Sequence, residues 1–553
     1  MFTTRHLVLL LIATLSACHC AMAQAPGSSK LGSIKGRVLS DGQAITNATV
    51  SVSSVNAPRQ TRGVPTNDNG DFEVKGLDPG MYRVQATAPA YVSVFGEPEQ
   101  EIYRVGDSVT LNLIKGGVIT GNVVTADDDP VVGVRVRALM IRDSSGRQPT
   151  LAVPSTTRLT DDRGVYRIFG LAPGTYVVLA GGRGFSGSGG ATAYDNDAPT
   201  FAPSSTRDTA EEISLAAGDE RTVDIRYRGT GGHAVSGNVT VPAKADAPWI
   251  NINLDRVVKS ALDFRMSTFQ RAGVKGFDVK GVADGDYFIW AEYDGGSGER
   301  LLSETKRITV KGADVSGIEL VVKPLASVAG VVMLEPSTIP ECKDKRRPVF
   351  EETLVSIQRN QAHPFNNSPR VSADAAGRFQ FRNLTEGQYN IDLRTLAPFW
   401  YLRLLTLPGP NDAKDLARNL LVLTSGERVI GVKATLAEGA ASIRGQVELP
   451  EDRRSGRIVF YVMPAEKEKA DDVLRFFAAT VADDGSFTLD HLPPGRYWTI
   501  AKIGSEDTTA SLRQPASAGA RVKLRREAEA AKSEIELKPC QTVKNHRLPL
   551  APN

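Results

Sequence analysis

Cysteine is scarce in this chain: four in 553 residues, two of them (Cys18 and Cys20) in the first twenty. That excludes a disulfide-dense small-scaffold protein and any Cys-rich metal cluster. Histidine is equally thin. Of six, His6 and His19 precede the body of the chain, and His233, His363, His491 and His546 are too scattered to form a His-Glu-x-x-His or paired-His motif. Neither sign of charge dominates, since 66 Lys and Arg stand against 63 Asp and Glu. A net +3 excludes a polyanion-binding surface as the default reading, so nucleic acid is not expected as a partner. Long apolar runs are missing too. The longest near the start, Leu7 to Leu15 behind Arg5 and His6, is too short to span a bilayer but suits the apolar segment of a secretory signal.

Export is therefore expected, with two processing outcomes open. Ala21-Met22-Ala23 before Gln24 is a small-x-small cleavage site, which makes residues 1–23 a signal peptide and 24–32 a flexible linker. Leu15-Ser16-Ala17-Cys18 instead reads as a lipobox, with Cys18 as the lipidated residue and a lipid anchor as the membrane contact. Outside the leader only Cys342 and Cys540 remain, and an oxidising compartment makes them a disulfide candidate.

What the chain has in quantity is repetition. An aromatic residue is followed ten positions later by a tyrosine at Phe72/Tyr82, Tyr166/Tyr176, Phe277/Tyr287, Phe379/Tyr389 and Phe487/Tyr497. Glycine stands two before each tyrosine, and an aliphatic residue five before it. Another glycine stands two before the first aromatic in four copies (Gly70, Gly164, Gly377, Gly485), with Lys275 in the third. Asp-Asn-Gly-Asp at 68–71 and its counterparts are turn sequences expected to close hairpins. The alternation after them, as in Phe72-Glu73-Val74-Lys75, has the period of a half-buried strand. Each tyrosine is expected in a core, its hydroxyl tied to nearby backbone.

Each copy opens on Gly-x-Val: Gly36, Gly121, Gly237, Gly330 and Gly445. A second alternating strand follows, then the aromatic segment, then a closing strand, read in the fifth copy as Glu534 to Leu537. Many short strands between turn signals indicate an all-β chain with one antiparallel β-sandwich per copy. Boundaries fall at 33–115, 116–230, 231–325, 326–438 and 439–538, with 539–553 as a C-terminal tail. Helical spacing is confined to Asp412–Leu421, Ala465–Ala478 and Arg525–Lys532.

Gly36-Arg37-Val38, Ala48-Thr49-Val50-Ser51-Val52, Asp68-Asn69-Gly70-Asp71-Phe72 and Leu77-Asp78-Pro79-Gly80-Met81-Tyr82 together resemble the carboxypeptidase regulatory-like domain family. The second and fifth copies share its hairpin closely, and the third and fourth more loosely. The resemblance implies five tandem transthyretin-like sandwiches, a fold also grouped with carbohydrate-binding-like modules and found as a non-catalytic appendage of exported bacterial proteins. It transfers no active-site residue. Pilin-type sandwiches with Lys-Asn isopeptides match less well, because Lys35 lacks an Asn and acid pattern to go with it.

Function follows from what converges and what does not. Without a catalytic set, metal motif or cofactor motif, no enzyme and no cofactor are expected. The leading expectation is a non-catalytic exported protein, periplasmic, outer-membrane or extracellular, that recognises, adheres to or scaffolds a cell-envelope protein or glycan. One alternative is a carbohydrate-binding protein with an exposed aromatic surface, for which Trp400, Tyr401 and Trp249 are the ligand candidates. The other is an accessory component of an exported hydrolase system. The glycine-rich stretch Gly181–Gly190 lacks the Gly-Lys-Ser/Thr ending of a phosphate cradle and reads as a surface loop.

Overall fold

The computed structural model describes residues 31–551 apart from 94–101, 145, 147, 149–156, 184–190, 243–248, 259–260, 272, 295–299, 360–368, 410–411, 450–457, 483 and 505–517. The leader, with Cys18 and both processing sites, lies outside the described residues. The chain is all-β, its sheets mostly antiparallel.

One pairing scheme recurs in every copy. The Gly-x-Val strand sits between the aromatic strand, antiparallel to it, and the closing strand, parallel to it. In the first copy these are Gly32–Ser40, Asp71–Leu77 and Ser108–Lys115. The second copy repeats this with a broken closing strand, Glu220–Thr222 and Ile225–Arg226. The third uses His233–Thr240, Gly276–Val282 and Val315–Pro324, and the fourth Ala326–Leu334, Arg378–Leu384 and Arg428–Glu438. The tyrosine strand pairs on the other side of the core, as Met81–Thr87 does between Thr49–Ser54 and Ile102–Arg104; in the third copy Arg300–Ser303 joins the two sides into one eight-stranded sheet.

The register explains why two sequence motifs travel together. Gly36, Gly121, Gly237, Gly330 and Gly445 stand directly opposite Phe72, Tyr166, Phe277, Phe379 and Phe487. A Cβ on any of the five would overlap a carbonyl of the closing strand: Val109, Val223, Ile318, Val432 and His546 in turn. Glycine is used there because strand backbone passes too close for a side chain. The valine two residues on donates its N–H to the turn residue that precedes the aromatic: Val38 to Gly70, Val123 to Gly164, Val239 to Lys275, Val332 to Gly377 and Val447 to Gly485, at 2.7–2.9 Å. Lys275 thus makes the bond that glycine makes elsewhere.

The acidic turns do not close hairpins. Ala57–Pro65 pairs with Thr49–Ser54 in one sheet, whereas Asp71–Leu77, just past the turn, pairs with Gly32–Ser40 in the other. The turn carries the chain across the core, because the alternating strands on either side each have an apolar face that must meet the other. Asn67 Oδ1 fixes it by accepting from the N–H groups of Asn69 and Asp71, and Asp161 and Asp374 repeat this bonding.

Two of the three helical expectations fail. Asp412–Leu421 contains the short strand Lys414–Asp415 and turns, and Ala465–Ala478 breaks into 3-10 turns at Lys467–Lys469 and Val473–Arg475 before the strand Phe477–Thr480. In both, pairing with a neighbouring strand outweighs helical spacing. Arg525–Lys532 falls largely within the α-helix Ala518–Ala530, whose Leu524 and Ala528 pack on Met463, Phe476 and Ile500.

The fifth copy closes differently from the expectation. Glu534–Leu537 pairs with the tyrosine strand Gly495–Ile503, and it is Thr542–Pro549 that lies parallel to Ala441–Glu448. The supposed tail at 539–553 therefore supplies the closing strand. Its alternation is masked by Lys544, His546 and Arg547, since only Leu548 of that strand is fully buried.

Candidate interaction site

The conserved chemistry of the repeat is structural. Each repeat tyrosine donates its hydroxyl to the carbonyl four residues earlier: Tyr82 to Asp78, Tyr176 to Ala172, Tyr287 to Ala283, Tyr389 to Thr385 and Tyr497 to Pro493, at 2.6–2.9 Å. This closes the turn before the tyrosine strand while the ring enters the core. Burial pushes all of these hydroxyls for which a shift is resolved above the ordinary phenol range. They are donors, not proton carriers.

Buried charge is likewise committed to the fold. The Arg137 guanidinium, which burial and then Arg135 push down to about 9, donates to the carbonyls of Gly181, Gly182 and Arg183. Gly181 and Gly182 are therefore buried acceptors rather than surface loop. Arg135 pairs with Asp195 at 2.7 Å. Among the described residues no group of three or more His, Cys, Asp or Glu is placed to hold a metal ion.

The sequence-derived site residues fall in two places. Trp400, named as a ligand candidate, is 1% exposed and lies in the core of the fourth copy. It is not available to a ligand. Arg347 lies over its ring at 5.8 Å, and its carbonyl meets Nδ1 of His491 from the fifth copy at 2.8 Å. Tyr401, half-buried beside it, has its hydroxyl pushed up by burial, with Arg475 and Asp472 of the fifth copy near enough to act on it. The alternation of Phe399-Trp400-Tyr401, which turns one side outward unless a neighbouring unit covers it, was legible; that the fifth copy supplies the cover, through His491, Arg475 and Asp472, was not.

Cys342 and Cys540 are bonded across the same junction, with Cα atoms 5.3 Å apart. Between the two copies is a cavity of about 20 Å³ lined by Asp392, Thr395, Trp400, Tyr401, Asp490 and His491. Two carboxylates and a histidine do converge there, but the space admits roughly one water and no substrate. His491, at a strand end with φ 66°, is half-buried at the junction, and desolvation there holds its imidazole below the ordinary range.

Trp249 is placed otherwise: it is 52% exposed at the start of Trp249–Val258 in the third copy. Ile250, Ile252 and Leu254 of that strand turn into the core, leaving Trp249, Asn251, Asn253 and Asp255 on the other face, where Trp249 is exposed, Asn251 half-buried and the last two buried. Opposite them on Ala261–Arg271 stand Arg271, Phe269, Ser267 and Arg265. Arg271 lies over the Trp249 ring at 5.8 Å, Phe269 is 48% exposed, and Arg265 forks onto Asp255 at 2.6 and 2.9 Å. Sequence reading found Trp249 but not Asn251, Asn253 or Phe269; only strand pairing brings these together.

Residues 33–112 match the carboxypeptidase regulatory-like domain family. No curated protein matches the chain. Among solved structures, the chain is similar to the Bacillus anthracis TIE protein at 15% identity and a TM-score of 0.14, over 53% of this chain and 51% of that one, so the likeness spans about half of that protein. It is similar to the minor pilin GBS52 of Streptococcus agalactiae at 12% identity and a TM-score of 0.20, over 35% of this chain and 95% of the pilin. BcpA, the major pilin subunit of Bacillus cereus, gives 12% identity and a TM-score of 0.13, over 53% and 99%.

Proposed function

We propose that this chain is a non-catalytic exported protein of the cell envelope, built from five carboxypeptidase regulatory-like sandwich modules and acting in adhesion, scaffolding or recognition. The modules are taken as 33–115, 116–230, 231–325, 326–438 and 439 to the strand ending at Pro549. The observation that carries the reading is the use to which each repeat puts its tyrosine and its Gly-x-Val glycine: all five copies use the first to close a turn and the second to admit the backbone of the closing strand. The signal-like start and the Cys342–Cys540 bond support an oxidising compartment.

Fractionation of cells expressing the full chain, with intact-mass analysis of the mature form, tests this. Recovery from the envelope or medium with a lipidated Cys18 or a Gln24 start is expected; recovery from the cytosol with Met1 intact would overturn it. The glycan-binding alternative is favoured by one observation, the exposed Trp249 face of the third module.

A further inference from the structure

The five modules are not held to one another in the same way. The second and third share one apolar cluster, and the fourth and fifth share a disulfide and the sealed junction around Trp400. The first meets the fourth through polar groups. Asn56 forks onto both backbone groups of Ser372, at 2.8 and 3.1 Å, and Arg104 stands 3.6 Å from Glu352, which Arg346 also holds. A Cβ on Gly80 would stand 4.0 Å from the Glu351 carbonyl. No hydrophobic core cluster among the described residues spans these two modules. Val55 and Met81, next in the chain to Asn56 and Gly80, are 7% and 2% exposed although neither belongs to the first module's core cluster, which fits cover by the fourth. The contact thus makes a few specific polar bonds and covers a little apolar surface, far less than each module's own core.

The link between the first and second modules is a single residue. Ser108–Lys115 closes the first and Gly117–Val124 opens the second, with Gly116 between them. Its counterpart between the third and fourth, Leu325, follows Pro324, whose ring fixes φ and whose carbonyl accepts from Ser425 Oγ at 2.9 Å. At Gly116 two backbone bonds hold the angle, its own N–H to Ala90 at 2.8 Å and Gly218 to Lys115 at 3.0 Å, and glycine leaves φ free once they break. We propose that the first module is exchangeable: it docks on the fourth module of its own chain in a monomer and on the fourth module of a second copy in a dimer. A first module that swings out leaves Val55 and Met81 in water and Asn56 without its strand. The surface that matches it in register and charge is a fourth module, and a second copy brings one. Two copies exchanging reciprocally remake both contacts, so the pair closes on itself instead of growing into a fibre. Because the same bonds form within a chain and between chains, concentration and strain at the one-residue link decide which state is populated.

Charge reversal separates exchange from any other association. Arg104→Glu sets two carboxylates against each other in the docked pair, and Glu352→Arg sets two guanidinium groups, so either chain alone opposes like charges. Mixed one to one, both contacts of an exchanged dimer pair opposite charges again. The full chains are annealed at high protein concentration and low salt and read by light scattering. The parent should convert in part to dimer, and the mixture should be about tenfold richer in dimer than either variant alone. Raising the salt to about 1 M, where the screening length is about 3 Å, should remove most of that difference. Arg104 also pairs with Asp107 and Glu352 with Arg346, so the melts of both variants are measured alongside. Asn56→Ala leaves these charges alone. It removes the Ser372 bonds from monomer and dimer alike, so the two should interconvert several-fold faster with their final ratio nearly unchanged. A parent that stays monomeric, a mixture no richer in dimer than its components, a mixed dimer indifferent to salt, or an Asn56→Ala chain that loses the dimer would overturn the proposal. None of these outcomes alters where the protein fractionates, so the envelope reading stands or falls separately.

Discussion

Glycine at the Gly-x-Val position is the residue on which each module's assembly turns. At Gly445 an added methyl would meet both the His546 carbonyl and the Phe487 ring, and neither is a flexible side-chain end. Gly445→Ala must therefore push the closing strand away or tilt the ring, and overpacking of this kind costs about 1–3 kcal/mol or more. The expected outcome is loss of hydrogen-exchange protection in Thr542–Pro549 while the first module keeps its own. Titration acts at the same scale. Burial lowers the His491 pKa below its unfolded value, so the unfolded chain binds the proton more tightly and stability rises with pH. The contribution is full above the unfolded value of about 6.5 and is lost as pH falls through the folded one. His546, also lowered by burial, adds in the same direction. Thermal melts at pH 7.5 and 5.5 should show the fifth module loosening at the lower pH, and His491→Gln should flatten that difference in part.

At the scale of the element, the closing strand does two jobs. It pairs in parallel with the Gly-x-Val strand and completes the sheet that carries half of the core. In the fifth module that strand comes last, after the α-helix Ala518–Ala530 and the strand Glu534–Leu537. Truncation after Gln541 should leave Ala441–Glu448 with one free edge and Ile443 and Val447 partly uncovered. The expected result is unfolding of the fifth module, seen as early proteolysis within 441–549, with the first three modules resistant. If residues 542–553 were a dispensable tail, the protease pattern would not change.

At the scale of the molecule, the chain doubles back. Asn56 of the first module bonds both backbone groups of Ser372 in the fourth, accepting from its N–H at 2.8 Å and donating to its carbonyl at 3.1 Å. Arg104 reaches Glu352 at 3.6 Å alongside. The second module's Leu139, Val177, Leu179 and Phe201 join the core cluster of the third, so that pair shares apolar burial and not merely a linker. The segment 339–352 is the hub: it carries Cys342 to the fifth module, Arg347 to the Trp400 ring and Glu352 to the first module. A bond closing a loop of 198 residues restrains the unfolded chain by on the order of 5 kcal/mol in the chain-entropy argument. Reduction, or Cys342→Ser, should therefore lower the melting temperature of the fourth and fifth modules and open the Glu438–Ala441 connection to protease. An unchanged melt on reduction would show that packing around Trp400 and His491 suffices to hold the junction.

The sequence by itself determined the period, the strand that opens each copy, and the core tyrosine with its tied hydroxyl. Each of these rests on contacts between residues near in the chain or on an alternation that one strand displays alone. It gave Trp249 and Trp400 equal standing, because exposure of a ring depends on what another segment lays over it. Only the tertiary structure decided that the turns cross between sheets, that Thr542–Pro549 closes the fifth module, and that Trp400 is sealed while Trp249 stands beside Asn251 and Phe269. The physical reason is common to all three. Hydrogen bonds between distant strands, and burial by a neighbouring module, are set by partners that local propensity does not encode.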